Sequence, residues 1–169
     1  IKERVRGNYT MLPFQHLPSM FVIEMEYNSV FWRNMFALKG GVSTTQSPYE
    51  LILNRKLNYN SHCKVEFGEY VQTHEEHNND MSQHTLGAIA TRSSNDAGSY
   101  YFISLQSGRC INRRSWTSLP MPKAVVAQVH CIARRAKATK QLTFTNVDNE
   151  DLDILYANLD WDEGDLKLE

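Results

Sequence analysis

Gly98-Ser99-Tyr100-Tyr101-Phe102-Ile103-Ser104-Leu105-Gln106-Ser107-Gly108-Arg109-Cys110-Ile111-Asn112-Arg113 is the stretch that decides the fold. Two runs rich in aromatic and β-branched residues flank Gln106-Ser107-Gly108, whose glycine suits a tight turn, so Ser99–Arg113 reads as a β-hairpin. Working outward, Asn95-Asp96-Ala97-Gly98 supplies a second turn and Leu86–Arg92 the strand before it. Gly68–His74 and Ser115–Leu119 complete a set of five short strands, Arg109–Arg113 being the second arm of the hairpin. Five such strands with Gly-bearing turns predict a small antiparallel SH3-like barrel.

Helices flank this β region. Ile1 to about Tyr9 is short, basic and helix-compatible, and Pro13 and Pro18 bracket a turn. Ser19 is placed to cap the next helix through its hydroxyl. From Met20 to Phe36 apolar side chains fall at 21, 25, 32 and 36 on one face and at 20, 23, 27, 30 and 31 around it. So wide an apolar surface predicts a helix covered on more than one side, and partners beyond this segment. Glu24 and Glu26, two apart, point to different faces of it. Gly40-Gly41 is expected to stop that helix. Ser47-Pro48-Tyr49-Glu50 opens a new one, with Ser at N-cap, Pro at N1 and Glu at N3. Residues 55–67 lack periodicity and read as a linker. After Pro120-Met121-Pro122, Lys123–Ala138 has helical spacing at Val126, Val129 and Ile132 and a basic end.

Charge divides the chain. Residues 1–147 hold 17 Lys+Arg against 10 Asp+Glu, a formal +7; residues 148–169 hold one Lys against nine acids, or −8. A basic body with an acidic tail occurs in proteins that touch nucleic acid, and equally in a domain followed by a solvated linker. Cys63, Cys110 and Cys131 are odd in number and widely spaced, which argues against a disulfide framework and for a reducing, intracellular setting. No run approaches the roughly 20 apolar residues of a membrane span, so no membrane partner is expected.

Two motifs invite chemistry. His74-Glu75-Glu76-His77 has its histidines at i and i+3 rather than the i and i+4 of a zincin helix, and Cys63 with His62 adds no known ligand spacing. A solvated polar turn explains it. His130-Cys131 are neighbours on a helix and point about 100° apart; a small buried thiol beside a surface imidazole is the plainer reading.

The basic set carries more. Arg109, Arg113 and Arg114 lie on or beside the hairpin, interleaved with Tyr100, Tyr101 and Trp116, and Arg134, Arg135, Lys137 and Lys140 follow. Phosphate contacts from such cations release counterions, and aromatic rings stack on exposed bases. Arg109, Arg113, Arg114, Trp116, Arg134, Arg135 and Lys137 are therefore the candidate nucleic-acid contacts. The plainer alternative has Tyr101, Ile103 and Ile111 filling the barrel while the arginines keep it soluble.

Several stretches together carry a resemblance: Ile1-Lys2-Glu3-Arg4, Phe31-Trp32-Arg33-Asn34-Met35-Phe36, Gly41–Leu53, and Gly98-Ser99-Tyr100-Tyr101-Phe102 through Asn112-Arg113-Arg114-Ser115-Trp116. Their order resembles the C-terminal part of the integrase region in the Pol polyprotein of Ty1/copia-type retrotransposons, over about residues 1–137. Arg33 stands where an apolar residue is usual in that family, and Asn54-Arg55 where Gly-Arg is usual.

The resemblance implies an α+β chain in four parts. Residues 1–58 would be helices left from an RNase H-like catalytic core, and 59–122 a small SH3-like β domain. Residues 123–140 would be a basic helix; beyond the resemblance, it is composition that makes 141–169 an acidic linker or tail. The family's three catalytic acids hold two divalent metal ions, Mg or Mn, for in-line displacement at phosphorus. By resemblance all three would precede Ile1, so this segment is expected to be no enzyme and to hold no cofactor itself. Its implied partners are DNA, the rest of the Pol polyprotein and further copies of itself, with the parent integrase in the nucleus. An SH3-like protein–protein interaction module and an inert transposon relic are the competing readings.

Overall fold

A computed structural model gives the fold of residues 1–74 and 85–136. These residues fall within one compact unit, Ile1–Ala138. The element order is α1 (Lys2–Met11), α2 (Ser19–Met35), α3 (Pro48–Leu53), α4 (Tyr59–His62), β1 (Tyr70–His74), β2 (Thr85–Ser93), β3 (Tyr100–Ser104), β4 (Cys110–Arg113), β5 (Trp116–Ser118) and α5 (Lys123–Arg135). The chain is thus α+β, with one five-stranded antiparallel sheet in the order β4-β3-β2-β1-β5.

The hairpin forms as the sequence predicts. Tyr100 to Ile103 pair with Arg113 to Cys110, and Gly108 closes the turn at φ 69° with its N–H donating to the Ser104 carbonyl at 2.8 Å. At the other end of β3, the Asn95 side-chain oxygen accepts from the Ala97 and Ser99 amides at 3.1 and 3.2 Å. An Asn bound to its own downstream backbone sets that turn. β5 then crosses to pair with the free edge of β1 rather than with β4. A register shift between Ala90 and Arg92 bulges β2, and bulges of this kind bend and twist a strand.

Strand alternation sends two sets of side chains to opposite faces. Val71, Ala88, Ala90, Tyr100 and Phe102 form a buried cluster, with Val65, Ile111 and Trp116 packed against it. The two alanines leave room for the Tyr100 and Phe102 rings, which Trp116 meets at 5.0 and 5.3 Å. Each large side chain removed from water here contributes about 1.5–3 kcal/mol. Ile89, Ile103 and Cys110 lie in register on the other face, where α2 packs. Tyr101 belongs with that second face, because it pairs with Asn112 and stacks on Arg92. It does not join Ile111 inside the sheet.

The helices depart from expectation in instructive ways. Pro18, not Ser19, is the N-cap of α2, and no side chain caps it. The helix ends at Met35 ahead of the Gly40-Gly41 pair, because Phe36 turns to extended backbone (φ −115°, ψ 143°), its ring stacked on Trp32 at 6.2 Å. The capping box at Ser47 and Glu50 is present in both directions, and Asn54 terminates α3 in the left-handed conformation. Residues 55–67 are not a bare linker: α4 lies within them and buries His62. In α5 the buried positions are Val125, Val129 and Ala133, four apart, with Val126 and Ile132 only half-buried.

Candidate nucleic-acid interface

The predicted basic residues separate into two groups. Arg109 is exposed in the β3–β4 turn. That turn lies against α5: the Gln128 amide donates to the Leu105 carbonyl at 3.0 Å, and a Cβ at Gly108 would stand 2.9 Å from Ile132 Cγ2. At φ 69° any other residue is strained, and its Cβ would have to displace the Ile132 methyl. The contact sets Arg109 beside the face of α5 that carries Ile132 and, three residues on, exposed Arg135, while exposed Arg134 points about 200° round the helix, toward the His130 side. Arg109, Arg134 and Arg135 have no carboxylate partner among the described residues.

Arg113 and Arg114 lie at the far end of β4, about 13 Å along the strand from Arg109 at 3.3 Å per residue. Arg114 is exposed; Arg113 is half-buried and donates from one Nη to the Asn112 carbonyl at 2.9 Å. Trp116 packs on Tyr100 and Phe102 as a wall of the core, which leaves its ring less open to a base than its sequence position suggested. Lys137, Lys140 and the Glu75-Glu76-His77 part of the polar turn lie outside the described residues. His74, which is described, bonds through Nε2 to the Thr117 hydroxyl at 3.0 Å across the β1–β5 pair. Among the described residues no three His, Cys, Asp or Glu side chains converge as a metal site would.

Cys131 is exposed and His130 is the anchored partner, the reverse of the sequence reading. The His130 Nε2 accepts the Gln15 backbone N–H at 3.1 Å. Burial, then the nearby His16 and Arg134, hold this imidazole below its ordinary range.

Three features escaped the sequence reading. First, Glu24 on α2 is 5 % exposed and reaches the sheet. Its Oε2 accepts from Arg92 Nε at 2.8 Å and from the Thr91 hydroxyl at 3.3 Å, and Cys110 Sγ lies 3.9 Å from Oε1. The Arg92 guanidinium also sits 4.2 Å from the Tyr101 ring centroid and 5.1 Å from that of Tyr27. The signal in the sequence was an acid between the apolar positions Phe21 and Met25, on the buried face of the helix. Glu26, two residues on, is exposed, so the two acids face different ways as their spacing predicts.

Second, His62 on α4 bonds through Nδ1 to the Ser93 hydroxyl at 2.6 Å and through Nε2 to Asp96 Oδ1 at 3.0 Å. Asp96 also accepts from the Tyr49 hydroxyl at 2.9 Å and pairs with Arg55 at 2.9 Å. The Tyr49 and His62 hydrogen bonds hold the Asp96 carboxyl below its usual range. Ser, His and Asp in series are the members of a nucleophile triad, yet a working nucleophile needs an oxygen that substrate reaches. Ser93 is 5 % exposed and His62 3 %. The chain of bonds acts as a latch, tying α3 and α4 to the β2–β3 turn.

Third, a cleft of about 600 Å³ opens between α1, α2 and β2, with Arg4, Asn28, Trp32, Phe36, Phe67 and Arg92 in its lining. Asn28, Trp32 and Phe36 follow one another four apart along α2 to its C-cap, but only tertiary packing brings Arg4, Phe67 and Arg92 to them. Comparison with protein-family models, with curated proteins and with solved structures returns no match to this chain.

Proposed function

We propose that this chain is a catalytically incomplete part of a Ty1/copia-type retrotransposon integrase that contributes DNA contacts to the assembled enzyme. The observation that carries the reading is the Gly108–Ile132 contact, which seats exposed Arg109 against the last turns of α5, the element that carries exposed Arg134 and Arg135, with none of the three paired to a carboxylate among the described residues. Cations so placed lose little to internal pairing when they meet phosphates. The five-stranded sheet, with β5 on the outer edge of β1 and a bulge in β2, supports a small SH3-like barrel as its architecture. The α1–α2 pair is the segment we assign to the end of an RNase H-like core, whose metal-binding acids belong elsewhere in the parent polyprotein. Nuclear action follows from that assignment. Among the described residues no helix is long and apolar enough to cross a membrane.

The test is binding of the full chain to a random-sequence duplex across a salt series. The expected outcome is affinity that falls linearly with log salt, with a slope of roughly −0.9 per phosphate neutralised. Replacing Arg109, Arg134 and Arg135 with Gln should reduce that slope, whereas Arg114→Gln should change it less. A folded sample without duplex affinity at low salt would remove the reading. A second reading, a protein–protein interaction module, is favoured by the exposed apolar stripe of Met20, Ile23, Tyr27 and Val30 on α2. Partner binding that persists at high salt and does not need the three arginines would select it.

A further inference from the structure

We infer that the α1–α2–β2 cleft is a site for one unpaired nucleotide, with the Asn28 amide on the base edge and the Arg4 guanidinium on a flanking phosphate. The inference rests on the nucleic-acid reading for its partner class but uses residues separate from the Arg109, Arg134 and Arg135 face.

Asn28 is the central observation. It is 6 % exposed, it lines the cleft, and its amide has no hydrogen-bond partner among the described residues. Among the described residues the Asn28 amide atoms are not sealed from solvent, so the amide faces the cleft with its donors and acceptor unspent on the protein's own groups. Neighbouring polar groups on the same packed surface are satisfied: Ser29 donates to the Met25 carbonyl at 2.8 Å, and the Asn8 amide donates to Ser29 at 3.4 Å. An amide offers a donor and an acceptor side by side, which is what the N6 and N7 edge of adenine requires.

The rest of the cleft suits the same ligand. Trp32 and Phe36 stack on each other with planes 22° apart, and Phe67 adds a third ring to the lining. Aromatic rings accept bases of any sequence by their faces. Arg4, on α1, lines the cleft, is exposed and has no ion-pair partner among the described residues. Arg92 lines it too, with its Nε committed to Glu24. The volume of about 600 Å³ falls in the range of small-ligand sites. Glu66 is the one carboxylate in the lining, and it is exposed. Its charge opposes a phosphate, so the site should favour a base held by stacking and hydrogen bonds over a polyphosphate.

The experiment is a titration of the full chain with a short oligodeoxyadenylate and with an abasic strand of equal length. It reads the Asn28 side-chain amide and Trp32 indole resonances. The oligodeoxyadenylate should shift both saturably with a Kd of about 1 mM or tighter, and the abasic strand should shift neither. Asn28→Ala and Arg4→Gln should each weaken binding about tenfold, and Glu66→Gln should strengthen it. Asn28→Ala should leave the thermal midpoint unchanged, since the amide holds nothing in the free protein. Arg109→Gln should leave these shifts intact while weakening duplex binding, so the two sites fail separately. Equal shifts from both strands, no saturable shift, or displacement by a peptide but not by the adenylate would each overturn the assignment.

Discussion

Replacing Arg92 by Leu should be the most damaging single change at the helix–sheet junction. Glu24 has its side chain 6 % exposed and that of Arg92 is 24 % exposed. Removing one partner of a buried pair costs about 3–5 kcal/mol, because the remaining charge stays desolvated. Water reaches Arg92 in part, so the lower end applies. The Tyr101 and Tyr27 contacts add about 0.5–1 kcal/mol each, some of which leucine keeps by apolar contact. The sum is about 3–4 kcal/mol, a large share of the 5–15 kcal/mol that a domain typically has. In a unit of this size that lowers Tm by about 10 °C. Glu24→Gln alone should cost about 1–2 kcal/mol, since the amide can still accept from Thr91 while the charge attraction is lost. The decisive arm is the double variant. Once Arg92 is gone, Glu24→Gln removes the stranded charge and should restore about 1–2 kcal/mol. Urea unfolding of the four proteins measures the cycle. If Arg92→Leu costs under about 1 kcal/mol, or if Glu24→Gln further destabilises the Arg92→Leu protein, the buried-pair account is refuted.

Two further outcomes follow from the same packing. Burial, with Glu24 adding to it, pushes the Cys110 thiol up to about 11, so at pH 8 an alkylating agent should label exposed Cys63 and Cys131 within minutes and Cys110 only after denaturant is added; mass mapping of the labelled peptides checks this. Because the folded state holds His130 neutral as the acceptor for Gln15, while the unfolded chain takes up a proton near pH 6.5, its contribution is present above that pH and lost as pH falls through it. Thermal midpoints should therefore drop between pH 7 and 5, and His130→Gln should flatten that drop; an unchanged slope would show that the group is not the cause.

Local chemistry was enough to place every strand among the described residues. Tyr100-Tyr101-Phe102-Ile103 with Gly108 behind it, and Asn95 with Gly98, define turns whose bonding is complete within a few residues, so their reading needs no knowledge of distant chain. The Ser47–Glu50 capping box is equally local and forms as read. The boundaries of α2 and α5 were less legible. Phe36 leaves the helix with its ring on Trp32, and the α5 face is chosen by contact with the β3–β4 turn, both choices made by packing partners.

What the sequence by itself determined is therefore the α+β class, the five strands and their turns, because backbone hydrogen bonding and side-chain alternation act over two to ten residues. Only the tertiary structure decided which side chains meet. It turned Trp116 and Tyr100 into core, set Arg109 beside the basic end of α5, and paired Glu24 with Arg92 across 68 positions of chain. It also brought Arg4 and Arg92 to the Asn28–Trp32 face of α2 around one cleft. Contacts over such separations depend on loop closure and on the fit of whole faces. No pattern of neighbours along the chain encodes them.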